Sequence, residues 1–149
     1  MRRRQLLPLA LLEVEGEKPV EGRTRLQKLM FLTQKRLDEQ GSPIDWGYPF
    51  LPYDYGPFAK ELYDDLDWLR HKGLIKEREQ RLDDDVIQYD YILTPDGREV
   101  AKERLNDAEM SQLKEAFEAV KREFNDLPLQ QLIDHVYTEY PEYAANSVL

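Results

Sequence analysis

The chain has 149 residues, 41% hydrophobic and 11% aromatic, enough for one domain with a core of its own and too apolar for a disordered segment. It has no cysteine, which excludes disulfides, thiolate metal sites and thiol chemistry and fits a reducing, cytoplasmic setting. A net charge of −9 repels nucleic acid on average, and no apolar stretch reaches the length of a membrane span.

The basic start Met1-Arg2-Arg3-Arg4 and the leucine-rich run behind it resemble a signal peptide. Pro8, the early Glu13 and the lack of a small-residue cleavage site instead make this a core helix over about 3–15. Gly16, Pro19 and Gly22 mark a loop. A second helix is predicted over about 24–40, with Thr24 as its cap and Gly41-Ser42-Pro43 as its stop. At 100° per residue Leu26, Met30, Thr33 and Leu37 share one face, and Arg25, Lys28, Lys35 and Arg36 gather on the other, with Leu32 among them. Residues 42–57 fit neither period. Their four prolines forbid a helix interior and discourage a central strand, while their aromatic content makes them pack down.

Phe58, Leu62, Leu66 and Leu69 form the stripe of a third helix, about 58–72, closed by Gly73. A hairpin follows over 74–93: one arm from Leu74, a polar turn across Gln80–Asp85, and a β-branched, aromatic return from Val86 to Leu93. Thr94-Pro95-Asp96 reads as cap, first helical position and dipole partner of a helix over 94–105. Met110, Leu113, Phe117, Val120 and Phe124 space a longer helix over about 107–125, and a last one runs from Leu129 to Tyr140. The expected fold is mainly α with a small β-hairpin: a winged helix-turn-helix over 1–105, extended by C-terminal helices over 106–149 packed on the same domain.

No catalytic constellation emerges. His71 and His135 lie in different elements, and His71 is placed to interact with a helix C-terminus rather than to ligate a metal. Phosphate loops, nucleophile elbows and zinc-protease motifs are missing, and Asp83-Asp84-Asp85 reads as a solvated turn. Neither cofactor nor metal is expected.

Charge is distributed unevenly. Residues 1–36 carry nine lysines and arginines against four glutamates, a net of +5, which leaves −14 on residues 37–149. Arg2, Arg3, Arg4, Arg23, Arg25, Lys28, Lys35 and Arg36 are therefore candidate contacts for an acidic partner or for nucleic acid. A winged helix normally reads DNA with its third helix and its wing. Here those elements carry Glu61, Asp64, Asp65, Asp67 and the three wing aspartates, so a protein partner is favoured. Duplex DNA bound through the second helix, by a homodimer pooling two basic faces, is the alternative, and an enzyme with an unrecognised site comes last.

Two segments carry a family resemblance. Arg25-Leu26-Gln27-Lys28-Leu29-Met30-Phe31-Leu32, followed by Pro52-Tyr53-Asp54-Tyr55-Gly56-Pro57-Phe58 and Leu62-Tyr63, resembles the YwgA-like uncharacterised proteins of bacteria and archaea. That likeness runs through Leu93-Thr94-Pro95-Asp96-Gly97-Arg98 to Val136–Tyr143 and covers nearly the whole chain. More distantly, over the front half, the chain is similar to the Panacea-type antitoxin domain, with its Leu-Gln-Lys-Leu helix before a Tyr-Gly-Pro segment. The first resemblance implies no reaction, and the second implies neutralisation of a toxin or effector through protein contact. It makes Tyr53, Asp54, Tyr55, Gly56, Pro57 and Phe58 a candidate protein-contact loop, against the simpler role of seating the third helix on the core.

Overall fold

The first helix is apolar on every side, and the fold is built around it. In the computed structural model, which describes residues 1–149, a 3-10 turn at Arg3–Gln5 leads into α1 (Leu6–Glu17). Leu6, Leu7, Leu9, Leu11 and Leu12 are all buried, as in a helix surrounded by protein. Pro8 sits in the first turn, where its missing N–H has no intrahelical partner to lose. The helical path breaks at its far end, where Glu15, Gly16 and Glu17 take φ of 57°, 63° and 58°.

A two-residue strand, β1 (Val20–Glu21), then precedes α2 (Arg23–Glu39). Gly22, at φ 97°, is the residue before the helix, and no side chain caps it, so Thr24 does not have the capping role expected of it. Residues 42–57, expected to hold no regular structure, contain a small hairpin of β2 (Leu51–Tyr53) and β3 (Gly56–Phe58). Pro52 faces Pro57 across it. Neither can donate to a ladder, which explains a short hairpin standing apart from the main sheet. Phe58 consequently belongs to a strand, and α3 runs over Lys60–His71.

The hairpin expected over 74–93 has longer strands than its charges suggest. β4 (Ile75–Asp83) and β5 (Val86–Leu93) meet at a two-residue turn of Asp84 and Asp85, so Gln80–Asp83 is strand rather than turn. From Arg78 to Asp83 that strand is exposed, and its charges cost nothing there. β1 pairs antiparallel with β5, giving a three-stranded order β1-β5-β4. Thr94 caps α4 (Pro95–Arg104) through the Gly97 N–H at 3.0 Å, and Asp107 caps α5 (Ala108–Phe124) through the Met110 N–H at 2.8 Å. α6 (Leu129–Glu139) and a 3-10 turn at Pro141–Ala144 close the chain.

The protein is thus mainly helical, with six α-helices and two small antiparallel sheets. α1 packs on α4 and α5, and α2 packs on α5 and α6. One hydrophobic core draws on all six helices, with Phe31 and Phe117 its largest fully buried apolar side chains. No helix is long and apolar enough to cross a membrane.

Candidate protein-contact surface

The two signature segments meet in space. Gln27, buried on α2, donates its amide N–H to the Ala59 carbonyl and accepts the Ala59 N–H, both at 3.0 Å. Beside it the Lys28 ammonium donates to the Pro57 carbonyl at 3.3 Å. The hairpin strand β3 and the start of α3 are therefore fastened to α2 by side chains that reproduce a rung of backbone hydrogen bonding. Gly56 completes the lock. It sits at φ 100°, and a Cβ there would lie 3.0 Å from the Tyr137 ring on α6.

Fastening the inner side of the hairpin leaves its outer side in solvent. Leu51, Tyr53 and Tyr55 are 66%, 54% and 46% exposed, and Asp54 is exposed beside them. Tyr53 stacks on Phe58 with ring centres 5.0 Å apart, and Phe58 meets Tyr63 edge to face at 5.3 Å. The Arg23 guanidinium continues the row, 5.6 Å from the Tyr63 ring and 4.0 Å from the Tyr89 ring on β5. A half-exposed stripe of tyrosine, phenylalanine and arginine thus crosses from the β2–β3 hairpin to β5.

Arg23 is fixed from behind. Its Nε donates to the Tyr91 hydroxyl at 3.1 Å, and Tyr91 donates to Glu77 at 2.7 Å. Burial alone would lower the Arg23 pKa, but these partners hold it above the ordinary value, while burial and Glu77 push the Tyr91 hydroxyl up. The residues 144–149 lie along the hairpin's edge, with the Val148 N–H donating to the Asp54 carbonyl at 2.9 Å and Asn146 to the Pro52 carbonyl at 3.3 Å.

The predicted basic residues do not form one face. Arg25 and Lys28 are 9% and 3% exposed, so the side of α2 read as outer and positive is an inner one. Arg25 donates to the Glu21 and Phe124 carbonyls, and burial pushes the Lys28 ammonium down to about 8. The reason is that α2 is covered on more than one side, by α5 and α6 and by β3. Helical periodicity gives the angle between residues, not how many sides a neighbour occupies.

The other basic residues are dispersed. Lys35 lies over the rings of Phe31, Tyr140 and Tyr143, Arg36 is exposed near the far end of α2, and Arg2 is exposed at the start. Arg3 pairs with Glu109 and stands over the Trp46 ring. Arg4 donates to Asp65 at 3.0 Å.

Asp65, read from sequence as part of an acidic reading head, is buried. It accepts from Arg4, from the Tyr48 hydroxyl at 2.8 Å and from Gln5 at 3.3 Å, tying the N-terminal turn to α3. Burial, with Asp65 alongside, pushes the Tyr48 hydroxyl far up and keeps it protonated. Asp64 and Asp67 pair with Lys60 and Arg70, whereas Asp83, Asp84 and Asp85 are exposed at the turn between β4 and β5, where Asp83 accepts the Asp84 N–H. His71 lies 2.8 Å from the Asp67 carbonyl within α3, and His135 packs on the Phe124 ring.

Sequence reasoning missed Tyr63, Tyr89 and Leu51 as surface residues and Gln27, Asp65 and Lys121 as buried polar anchors. Only Gln27 and Tyr63 carried a signal, their places in the segments that bear the family resemblance. A family model described as antitoxin SocA-like, Panacea domain matches residues 26–142. The match continues far beyond the front half that the two motifs cover. No curated protein matches the chain.

Proposed function

This chain belongs to the antitoxin SocA-like Panacea family, and on that premise we propose that it is a non-catalytic regulatory protein of the cytoplasm. It acts by holding a protein partner, a toxin or effector, on the stripe of Tyr53, Tyr55, Phe58, Tyr63 and Arg23. The observation that carries this is the composition and exposure of the stripe. Tyrosine and arginine are enriched at protein interfaces, and rings already locked against neighbours lose little freedom on binding. The stripe is also tied to the two family motifs, since Gln27 and Lys28 hold the hairpin that presents it.

We read residues 1–105 as a winged helix, with 106–149 as its helical extension. The sheet order β1-β5-β4, with α2 and α3 between β1 and β4, supports that topology. Duplex DNA is the less favoured partner. Arg25 and Lys28 are buried, and the wing tip presents three exposed aspartates, so counterion release has little to draw on.

Affinity capture from the native cells, with and without nuclease, tests the reading. A protein should be recovered whether or not nuclease is added, and should be lost with Tyr53→Ser/Tyr55→Ser at an unchanged unfolding midpoint. Recovery that depends on nucleic acid, or full retention by the variant, would overturn it.

A further inference from the structure

β5 is paired on one side along its whole length and on the other along only part of it. β4 runs beside it from Val86 to Leu93, whereas β1 covers Asp90 and Tyr91 alone. Beyond them the Gly22 N–H donates to the Tyr89 carbonyl at 3.1 Å, and there the chain turns into α2. Val86, Ile87 and Gln88 therefore border an open cleft of about 440 Å³ instead of a strand. Main-chain direction alternates along a strand, so Ile87 points its N–H and carbonyl the same way as Tyr89, into the cleft.

This open edge differs from the free edge of β4. There the residues that turn their main chain outward are Glu77, Glu79 and Arg81, opposite Tyr91, Tyr89 and Ile87, and such charges discourage strand addition. The open stretch of β5 carries no charge. Val86 and Ile87 are exposed, and Leu82 and Leu129 stand beside them in the same cleft as further exposed apolar residues. An extended main chain with apolar side chains is what such an edge accepts.

The chain supplies that segment itself. Two copies set antiparallel about a two-fold axis at Val86 place Ile87 of each against Asp85 of the other, and the Asp84–Asp85 turn ends each segment before it meets Gly22. Residues opposed across a pair share a face, as do residues two apart along a strand. Asp85 of one copy therefore falls on the face of Ile87 and Tyr89 of the other. On that face the Arg23 guanidinium lies 4.0 Å from the Tyr89 ring centre, its side chain partly exposed. The charge match occurs twice, once at each end of the pair.

We propose that a second copy of this chain pairs with this edge, β5 against β5, joining the two β4–β5 hairpins into one sheet across a homodimer. The inference stands apart from the protein-binding reading, because its occupant is the chain itself.

Sedimentation velocity on the full chain across about 5–500 µM tests it, since so small an interface should dissociate at a concentration on the order of tens of micromolar. The sedimentation coefficient should rise from that of a monomer to that of a dimer. Ile87→Pro removes an N–H that β4 does not use and should weaken the dimer about tenfold or more. Asp85→Arg sets arginine against Arg23 and should also weaken it about tenfold. That variant makes a chain of net charge −9 less negative, which alone would favour association. Glu79→Pro, the same change on the edge of β4, should leave the dimer intact.

A chain that stays monomeric throughout overturns the proposal. So does a dimer that Asp85→Arg leaves unchanged, or one that Glu79→Pro disrupts as much as Ile87→Pro does. Should Ile87→Pro lower the urea midpoint, Asp85→Arg at the exposed turn decides. None of these results bears on capture of a partner through Tyr53 and Tyr55.

Discussion

A side-chain amide set against a main-chain peptide makes the same two hydrogen bonds as a rung of sheet, and Gln27 does this with Ala59 in a site closed to water. The pair joins residues 32 positions apart and fixes the junction of β3 with α3. Removing the amide leaves the Ala59 N–H buried without a partner and its carbonyl with the Leu62 N–H alone, so Gln27→Leu, although similar in size, should destabilise by about 1–3 kcal/mol. Urea unfolding checks this as a lowered midpoint at unchanged slope. Tyr53→Ser, at an exposed position, should move the midpoint little. If the two variants behaved alike, Gln27 would not be the fastening of the hairpin.

At the scale of elements, the end of α1 is held by a residue from α5. The Lys121 ammonium donates to the Leu11 and Val14 carbonyls at 2.8 and 2.9 Å, where the helix opens into three residues of positive φ. The kink at Val14–Gly16 breaks the regular helical ladder here, and the lysine supplies donors to these carbonyls. Lys121→Met removes a buried charge but strands both carbonyls. The second effect should dominate, at about 2–3 kcal/mol, in contrast to Lys28→Met, which strands one and should cost about 1 kcal/mol or less. Comparison of the two urea midpoints decides which effect wins.

Which of these elements the sequence discloses follows from the range of their causes. The caps at Thr94 and Asp107 and the stripe from Met110 to Phe124 are local, and α4 and α5 match their expected bounds closely. Lys121 stands one turn beyond Phe117, on the apolar stripe itself, yet its role depends on carbonyls more than a hundred residues away. β1 has two residues and exists only because β5 lies beside it. The Pro52–Pro57 hairpin likewise runs against local preference and is held by α2. For the candidate site, the loop Tyr53–Phe58 was legible through its motif. The inward turn of Arg25 and Lys28, which dissolves the basic face, was not, because it depends on how many neighbours surround α2.

For the whole molecule, burying two lysines in a chain of net charge −9 gives stability a distinctive response to pH. Burial lowers both Lys28 and Lys121 from 10.5 to about 8. Between those values the unfolded chain holds protons that the folded chain has released, so stability rises with pH across that window. The cost of the buried charge is present in full below about 8 and fades towards 10.5. From pH 7 to 9 the gain should be about 1 kcal/mol per lysine.

Tyr48, Tyr91 and Tyr140 act in the opposite sense, because the fold raises them above 10.0 and keeps them protonated after the unfolded chain has ionised. Stability should therefore climb from pH 7 to about 9.5 and fall beyond about 10. Urea midpoints taken across this range test the sum, and Lys28→Met tests one contribution, since it should flatten the climb while leaving the fall beyond pH 10 in place. A wild-type midpoint that declined steadily from pH 7 to 9 would mean that at least one of the two ammonium groups reaches solvent in the folded protein.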